Sequence, residues 1–392
     1  MAYMPKRILY LTILLFFIGA SIAPLMATET RVGSMGGVGM YTRDNSNIFY
    51  FPGTLYAYKS QVIGELRSEG ADNSYSIGIH YPASKRFMIG AYLNRPIRLA
   101  PNLDEFGIEN VTLNQSTDLL YGRQMANFDF GFRLSFGFDG YTSADTGILK
   151  EEETARYIGL ATGISNSVMD LGVQFEMPSA KWEQDTFSIK WGGTAFGGNG
   201  RLFYGEKTQI VPVGTFYMAS GSAKFTPDSD PTAKIDFSAM NVGVGVGVNH
   251  HINDDNLLVM AIELFGMTKY KIEPKDTTNY YDYYDQSILT MPGLYMGVES
   301  KIKPWLTGRI GAAQTYQKYT NKSRYNPTMI TETLYESSYR TSDFDVSFGL
   351  GFHFGDFDID AAINERLFFD GPYFLSGEDN SMANRLSVTY NF

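Results

Sequence analysis

Four histidines, His80, His250, His251 and His353, are the side chains in this 392-residue sequence best suited to acid-base chemistry, and there is no cysteine beside them. A hydrolase built on one of these rings needs a serine or paired carboxylates within hydrogen-bond reach. No local motif supplies them. His250 and His251 fall in an expected short turn, and His353 lies near the end of an alternating stretch, facing the side of Gly351. No catalysis is expected. Without cysteine there is no disulfide, thiolate metal site, cysteine nucleophile or lipid-bearing N-terminal cysteine; neither a cofactor nor a metal is expected. The run Val242-Gly243-Val244-Gly245-Val246-Gly247-Val248 is not a phosphate loop, because it lacks the Gly-Lys-Ser/Thr ending and its glycines sit at strand spacing. The stretch Tyr280-Tyr281-Asp282-Tyr283-Tyr284-Asp285 has groups for a sugar or a cation, and its plainer interpretation is an exposed loop with no ligand.

These residues need a scaffold, and the composition limits which one. A hydrophobic content of 44% with 15% aromatics excludes a disordered chain. The balance of 32 basic and 42 acidic side chains, with no basic stripe, argues against nucleic acid as a partner. Lys6 and Arg7 precede an apolar run from Ile8 to Ile18, and Ala27 ends a small-residue cleavage site, so residues 1–27 are expected to be a secretory signal peptide. Its apolar run is about half the ~20 residues of a spanning helix. Loss of Lys6 and Arg7 leaves 30 basic and 42 acidic side chains.

Periodicity names the elements. Phe128, Phe130, Phe132, Leu134, Phe136 and Phe138 alternate with Asp129, Gly131, Arg133, Ser135, Gly137 and Asp139, which is a strand with one apolar and one polar or small face. Met169 to Glu176, Phe344 to Phe354 and Phe357 to Ile363 repeat the pattern. Such runs match the ~9 to 11 residues of a tilted membrane strand. They are joined by connectors alternating between short and long, as in outer-membrane barrels. Short links are expected at Pro82 to Lys85, Met125 to Asn127, Asn166 to Val168, His250 to Asp255, Lys301 to Pro304 and Gly355 to Asp356. Long ones are expected at Pro96 to Leu113, Gly140 to Thr154, Gly221 to Thr232, Glu273 to Gln286, Lys318 to Ser342 and Leu367 to Asn384. The sequence therefore reads as all-β, a transmembrane antiparallel barrel over residues 61–392, preceded by an N-terminal segment over 28–60. The strand number is sixteen by this parse. Fourteen follows if the glycine-interrupted stretch Phe187 to Glu206 is not a strand.

The opposite faces define the lumen. Asp129, Arg133, Asp139, Asp170, Glu176, Asp345, His353, Asp358 and Asp360 all fall there, so a charged, mostly acidic interior is expected. The glycines of Val242 to Val248 would leave an unobstructed inner wall against which another segment can pack. At the C-terminus, Leu386, Val388, Tyr390 and Phe392 form a lipid-facing row that ends on an aromatic at the membrane interface. It is similar to the signal read by the barrel-assembly machinery, with Val388, Tyr390 and Phe392 as its outward residues.

The N-terminal segment carries a further resemblance. Ser34-Met35-Gly36-Gly37-Val38-Gly39-Met40, then Asp44-Asn45, then Ile48-Phe49-Tyr50-Phe51-Pro52-Gly53 resembles the opening of the FadL-type transporter superfamily and its PorV-like relatives. That resemblance implies a fourteen-stranded barrel whose N-terminal segment, including Met35, Gly36, Gly37, Phe51, Pro52 and Gly53, folds inward as a hatch. Phe51-Pro52-Gly53 departs from the family's Asn-Pro-Ala turn. The implied role, in the outer membrane of a Gram-negative-type bacterium, is passive passage of small, hydrophobic molecules. The charged inner face suits a porin for polar solutes as well, and a PorV-like anchor or shuttle for secreted surface proteins is a third reading. The expected partners are the lipid bilayer, the assembly machinery and a small-molecule solute.

Overall fold

The computed structural model describes residues 30–69, 72–95, 116–143, 151–184, 187–226, 234–274, 283–325, 333–363 and 383–392. It is a closed antiparallel barrel of sixteen strands, each paired with its neighbours in sequence, with the first strand closing on the last. They are β1 (Gln61–Glu69), β2 (Asp72–Tyr81), β3 (Phe87–Leu93), β4 (Thr117–Gln124), β5 (Asp129–Ser143), β6 (Glu151–Ser165), β7 (Met169–Gln184) and β8 (Phe187–Leu202). The second half comprises β9 (Thr208–Thr226), β10 (Lys234–Asn253), β11 (Asn256–Pro274), β12 (Tyr283–Lys303), β13 (Leu306–Tyr325), β14 (Thr333–Phe354), β15 (Phe357–Ile363) and β16 (Ala383–Asn391). Closure runs through the register Gln61↔Asn391 to Arg67↔Arg385. The stretch from Phe187 is a strand despite its glycines, which settles the count at sixteen and departs from the fourteen implied by the family resemblance.

The barrel spans a membrane because its outer face is apolar where a soluble protein would be polar. Phe132, Phe138, Leu171, Val173, Phe175, Phe196, Phe216, Met218 and Val244 are exposed on the outside, while Arg133, Asp170, Glu176 and Arg201 are buried on the inside. Charge inside and hydrocarbon outside is the inversion a bilayer imposes. Tyr390 and Phe392 extend this outer face to the end of the chain beside Phe357, with ring centroids 4.7 Å apart for Phe357 and Tyr390. Both ends of the barrel chain and the tight turns after β2, β4, β6, β10, β12 and β14 lie at one rim, the periplasmic one by the usual asymmetry of loops.

Several expected loops are strand. β9 to β14 run for 19 to 22 residues, about twice what the bilayer requires. Most of Lys318 to Ser342 belongs to the β13–β14 ribbon, paired continuously from Leu306↔Phe352 to Tyr325↔Thr333. Parts of Gly140 to Thr154, Gly221 to Thr232 and Glu273 to Gln286 are likewise strand. On the outer part of β13 and β14 both faces are polar, so apolar alternation disappears although the ladder hydrogen bonds persist. His250 and His251 lie within β10 and not in its turn, which is reduced to Asp254-Asp255, and His250 Nδ1 lies 2.8 Å from Thr208 Oγ1. Tyr283 to Asp285 open β12. The expected signal peptide, the Pro96 to Leu113 loop, most of Leu367 to Asn384 and Tyr280 to Asp282 lie outside the described residues.

The N-terminal segment is made of short turns. One helical turn, α1 (Thr30–Gly33), is followed by 3-10 turns at Val38–Met40, Asn45–Phe49 and Pro52–Ala57. Gly36 and Gly37 adopt positive φ of 72° and 75°, a conformation costly for any residue with a Cβ. Asp44 caps the second 3-10 turn, its carboxylate accepting from Ser46 N at 3.0 Å while Asn47 Oδ1 accepts from Asp44 N at 2.9 Å. Pro52 opens the third, where its missing N–H costs nothing.

Candidate permeation site

The N-terminal segment contacts the inner wall largely through backbone, with the Tyr41 and Ser34 side chains adding to it. Added Cβ atoms at wall glycines would overlap it: Gly131 meets the Pro52 carbonyl, Gly172 the Tyr50 carbonyl, Gly245 the Tyr41 hydroxyl, Gly311 the Gly36 amide and Gly349 the Ser34 side chain. At Gly297 and Gly247 the same atom would stand 2.6 Å from Met35 O and 2.8 Å from Tyr41 Cβ. The closeness is mutual, since a Cβ on Gly53 would lie 2.7 Å from Ile164 C and Ser165 N. Glycines on β5, β7, β10, β12, β13 and β14 thus form a track that fits this one segment, and Gly245 and Gly247 belong to the Val-Gly run singled out in the sequence.

Apolar burial fills the space between. Met35, Ile48, Phe51 and Leu55 are fully buried. Ile48, Phe49, Leu55 and Tyr56 pack with Ile63, Met88, Tyr92 and Leu120, while Met35, Val38 and Tyr41 pack with Phe203, Val211, Val213, Val259 and Ala261. At about 1.5 to 3 kcal/mol per large side chain, such burial rewards an inward position over a hydrated tail.

Polar wall groups then fix the register. The guanidinium of Arg201 is fully buried; it donates to Asp170 at 2.8 Å, to the Thr42 carbonyl at 2.7 Å and to Asn47 Oδ1 at 2.8 Å. Its plane lies over the Phe51 ring at 4.5 Å. Arg133 donates to the Phe49 carbonyl at 2.9 Å, Asn249 to the Tyr41 carbonyl at 2.9 Å, and Gly36 N to Ser347 Oγ at 2.8 Å. Arg31 joins Glu299 and Asp44, each at 2.7 Å. Burial works against its charge, but the hydrogen bond to Glu299 and the two carboxylates outweigh that and hold Arg31 well above the ordinary guanidinium range.

A cavity of about 290 Å³ remains between this segment and the wall of β12 to β16 and β1, near the periplasmic rim. Arg31, Arg43, Asp44, Glu299, Arg309, Asp358 and Asp360 give it a mixed charge. Arg309 pairs with Glu299 at 2.6 Å and Asp360 at 2.5 Å. His353 sits between Thr307 Oγ1 at 2.9 Å and Asp358 Oδ1 at 2.6 Å, tying three adjacent strands together.

Of the residues expected in the lumen, Arg133, Asp170, Glu176, His353, Asp358 and Asp360 enter these buried or cavity-lining networks. Asp129 and Asp139 occupy the inward face of β5 toward its two ends, and Asp345 is exposed on the inward face of β14. The expected acidic interior needs correction. Buried arginines neutralise it at the periplasmic half, and on the β6 to β11 side the extracellular half carries an apolar patch. Tyr157, Ala180, Trp191, Ala223, Ile235 and Phe237 form a buried cluster joined by Trp182, Ile189, Phe225 and Ile272. Trp191 shares its strand face with Arg201, and Phe237 with Asn249, so this cluster points into the lumen, where its members pack on one another. Trp191 and Phe237 stack at 5.3 Å and 9°. Glu176 closes the lower edge, accepting from Tyr157 at 2.8 Å and Tyr217 at 3.0 Å. The chain is a membrane-spanning β-barrel with a two-part lumen.

Sequence reasoning missed Arg31, Tyr41, Arg201, Glu299 and Arg309 as site residues. Arg31, Arg43 and Asp44 did carry a signal, as charges inside an otherwise small and apolar segment. Trp191 and Phe237 carried little, because Gly192 and Gly193 mask the alternation around the first and Lys234 and Asp236 around the second.

No family model and no curated protein matches the sequence. Solved outer-membrane barrels do resemble the structure. The toluene transporter TodX of Pseudomonas putida, of the FadL family, aligns over 93% of this chain and 98% of its own at 12% identity, with a TM-score of 0.38. A TodX mutant lacking S2 and S3, a monoaromatic hydrocarbon channel, aligns over 94% and 100% at 11% identity and a TM-score of 0.41. The ferric-catecholate import receptor Fiu of E. coli K12 aligns over 85% and 82% at 7% identity and a TM-score of 0.38.

Proposed function

We propose that this protein is an outer-membrane channel for small, hydrophobic molecules, with the segment from Thr30 to Tyr58 acting as a hatch over the periplasmic half of the lumen. The observation that carries this is the apolar inner wall around Trp191 and Phe237, directly above the segment seated in the glycine track. Apolar and aromatic side chains facing a lumen give a hydrophobic solute a place to leave water, and the close-packed segment beneath makes passage depend on its movement. The lipid-facing end of β16, with Val388, Tyr390 and Phe392 outward, supports recognition by the assembly machinery.

The test is uptake into proteoliposomes of a monoaromatic hydrocarbon against a sugar of similar size, paired with single-channel recording. The wild type should favour the hydrocarbon and conduct little. Trp191→Ala with Phe237→Ala should lower hydrocarbon uptake without opening a steady conductance. Deleting Arg31 to Gly53 should raise conductance while the barrel still inserts. Steady conductance in the wild type would instead favour a porin for polar solutes. A silent, correctly inserted deletion protein would sink the hatch and favour a barrel that anchors or shuttles other proteins.

A further inference from the structure

The outer surface of β7 to β10 carries an arrangement that neither the lumen nor the bilayer core explains. Directly paired residues across these four strands form rows. Phe175, Phe196, Met218 and Met240 make an apolar row, with Phe175↔Phe196, Phe196↔Met218 and Met218↔Met240 in register. Toward the extracellular side follow Thr194, Ser220 and Ser238, then Ser179, Gly192, Ser222 and Asp236. The next row is Lys181, Lys190, Lys224 and Lys234, paired Lys181↔Lys190, Lys190↔Lys224 and Lys224↔Lys234. Arg156, exposed on β6 and paired with Ser179, adds a fifth cation beside it.

Four ammonium groups on adjacent strands occupy about 14 Å at the usual strand spacing. Like charges directly opposite one another destabilise a sheet. The two end lysines have carboxylates on their own strands, Glu183 for Lys181 and Asp236 for Lys234. The central Lys190 and Lys224 are exposed and form no ion pair among the described residues. In a chain with ten more acidic than basic side chains, a row of four lysines on one outer patch calls for an anionic counterpart.

The order of the rows identifies it. From hydrocarbon outward the surface presents apolar side chains, then mostly hydroxyl-bearing or small ones interrupted by Met177 on β7 and the Asp236 carboxylate on β10, then cationic side chains. The lysine row stands six residues beyond Met218 along β9, about 20 Å of strand and less in height once the strand tilts. That spacing leaves room for a sugar layer between acyl chains and phosphates, which a glycerol headgroup does not fill. Lysine stems can also lie along the surface and bring their charges down toward it. We propose that the outer face of β7 to β10 is a docking surface for a phosphorylated glycolipid of the outer leaflet, with Lys181, Lys190, Lys224 and Lys234 engaging its phosphates.

The test uses the whole barrel in detergent, titrated with lipid A, with dephosphorylated lipid A of the same acyl pattern and with phosphatidylglycerol, and read by native mass spectrometry. The wild type should retain lipid A at least about tenfold more strongly than either of the others, and less so as salt rises. Lys190→Gln with Lys224→Gln should lose that preference, while Lys190→Arg with Lys224→Arg should keep it. In lipid-free detergent the glutamine variant should be at least as heat-stable as the wild type, since a like-charge contact is gone. Equal retention by wild type and glutamine variant, or equal binding of the dephosphorylated lipid, would overturn the proposal. Equal binding of phosphatidylglycerol would overturn its assignment to a glycolipid, and a destabilised glutamine variant would show that the lysines serve the barrel itself.

Discussion

The two halves of the lumen wall hold their contents by opposite means. Toward the periplasm the wall withdraws its side chains, and Gly131, Gly172, Gly297 and Gly311 let the backbone of the N-terminal segment lie directly on the sheet. Toward the exterior the wall advances, with Tyr157, Trp191 and Phe237 packing against one another. A backbone-to-backbone contact has no rotamer with which to absorb a new methyl group, whereas a surface of side chains repacks. The lower half is therefore specific for one occupant, and the upper half suits solutes of varied shape.

Substitutions separate these behaviours. The largest effect is expected for Gly131→Arg, because even a Cβ there overlaps Pro52; the segment should be expelled, seen as raised single-channel conductance and new protease sensitivity between Arg31 and Gly53. The neighbouring outward change Phe132→Arg should cost about 2 to 4 kcal/mol in a membrane-refolding titration, as for a cation near the bilayer midplane, while leaving conductance low. Arg201→Ala removes a buried partner of Asp170 and four hydrogen bonds to the segment, at the Gly39, Met40 and Thr42 carbonyls and Asn47 Oδ1. A loss of about 3 to 5 kcal/mol in the same titration is expected, and an unchanged midpoint would mean that the segment does not rely on this anchor. In the upper half, Trp191→Phe should cost under about 1.5 kcal/mol and lower hydrocarbon uptake only partially; abolished uptake would mean a shape-specific site. The smallest effect is expected for Gly192→Ala, on the outer face behind Trp191, where the nearest atom to the new methyl is Ser179 Cβ at 4.0 Å. A shift within about 0.5 kcal/mol is predicted, and a larger one would mean that the strand itself, and not only its inward side chains, resists change.

Much of this architecture is legible along the chain because a bilayer enforces a two-residue period. Phe128 to Phe138 and Phe344 to Phe354 announce their outward faces, and Leu386 to Phe392 announces the closing strand. The same rule explains the misplaced boundaries. Between Lys318 and Ser342 both faces of the ribbon are polar, so nothing in the pattern distinguishes strand from loop. Glycine misleads in a related way at Phe187 to Leu202, where Gly197 and Gly198 lie against Tyr217 and Phe216 instead of breaking the strand.

By itself the sequence determined the all-β class, the inside and outside of the membrane strands and the apolar, glycine-rich character of the N-terminal segment, because each is a property of neighbours a few residues apart. Only the tertiary structure decided that the barrel has sixteen strands, that Arg201 reaches Thr42 and Asn47, that Arg31 meets Glu299 268 residues away, and that Trp191 stacks on Phe237. The reason is closure. Wrapping the sheet brings distant strands around one interior, and which side chains then meet depends on register summed over every intervening strand, a quantity that no local pattern contains.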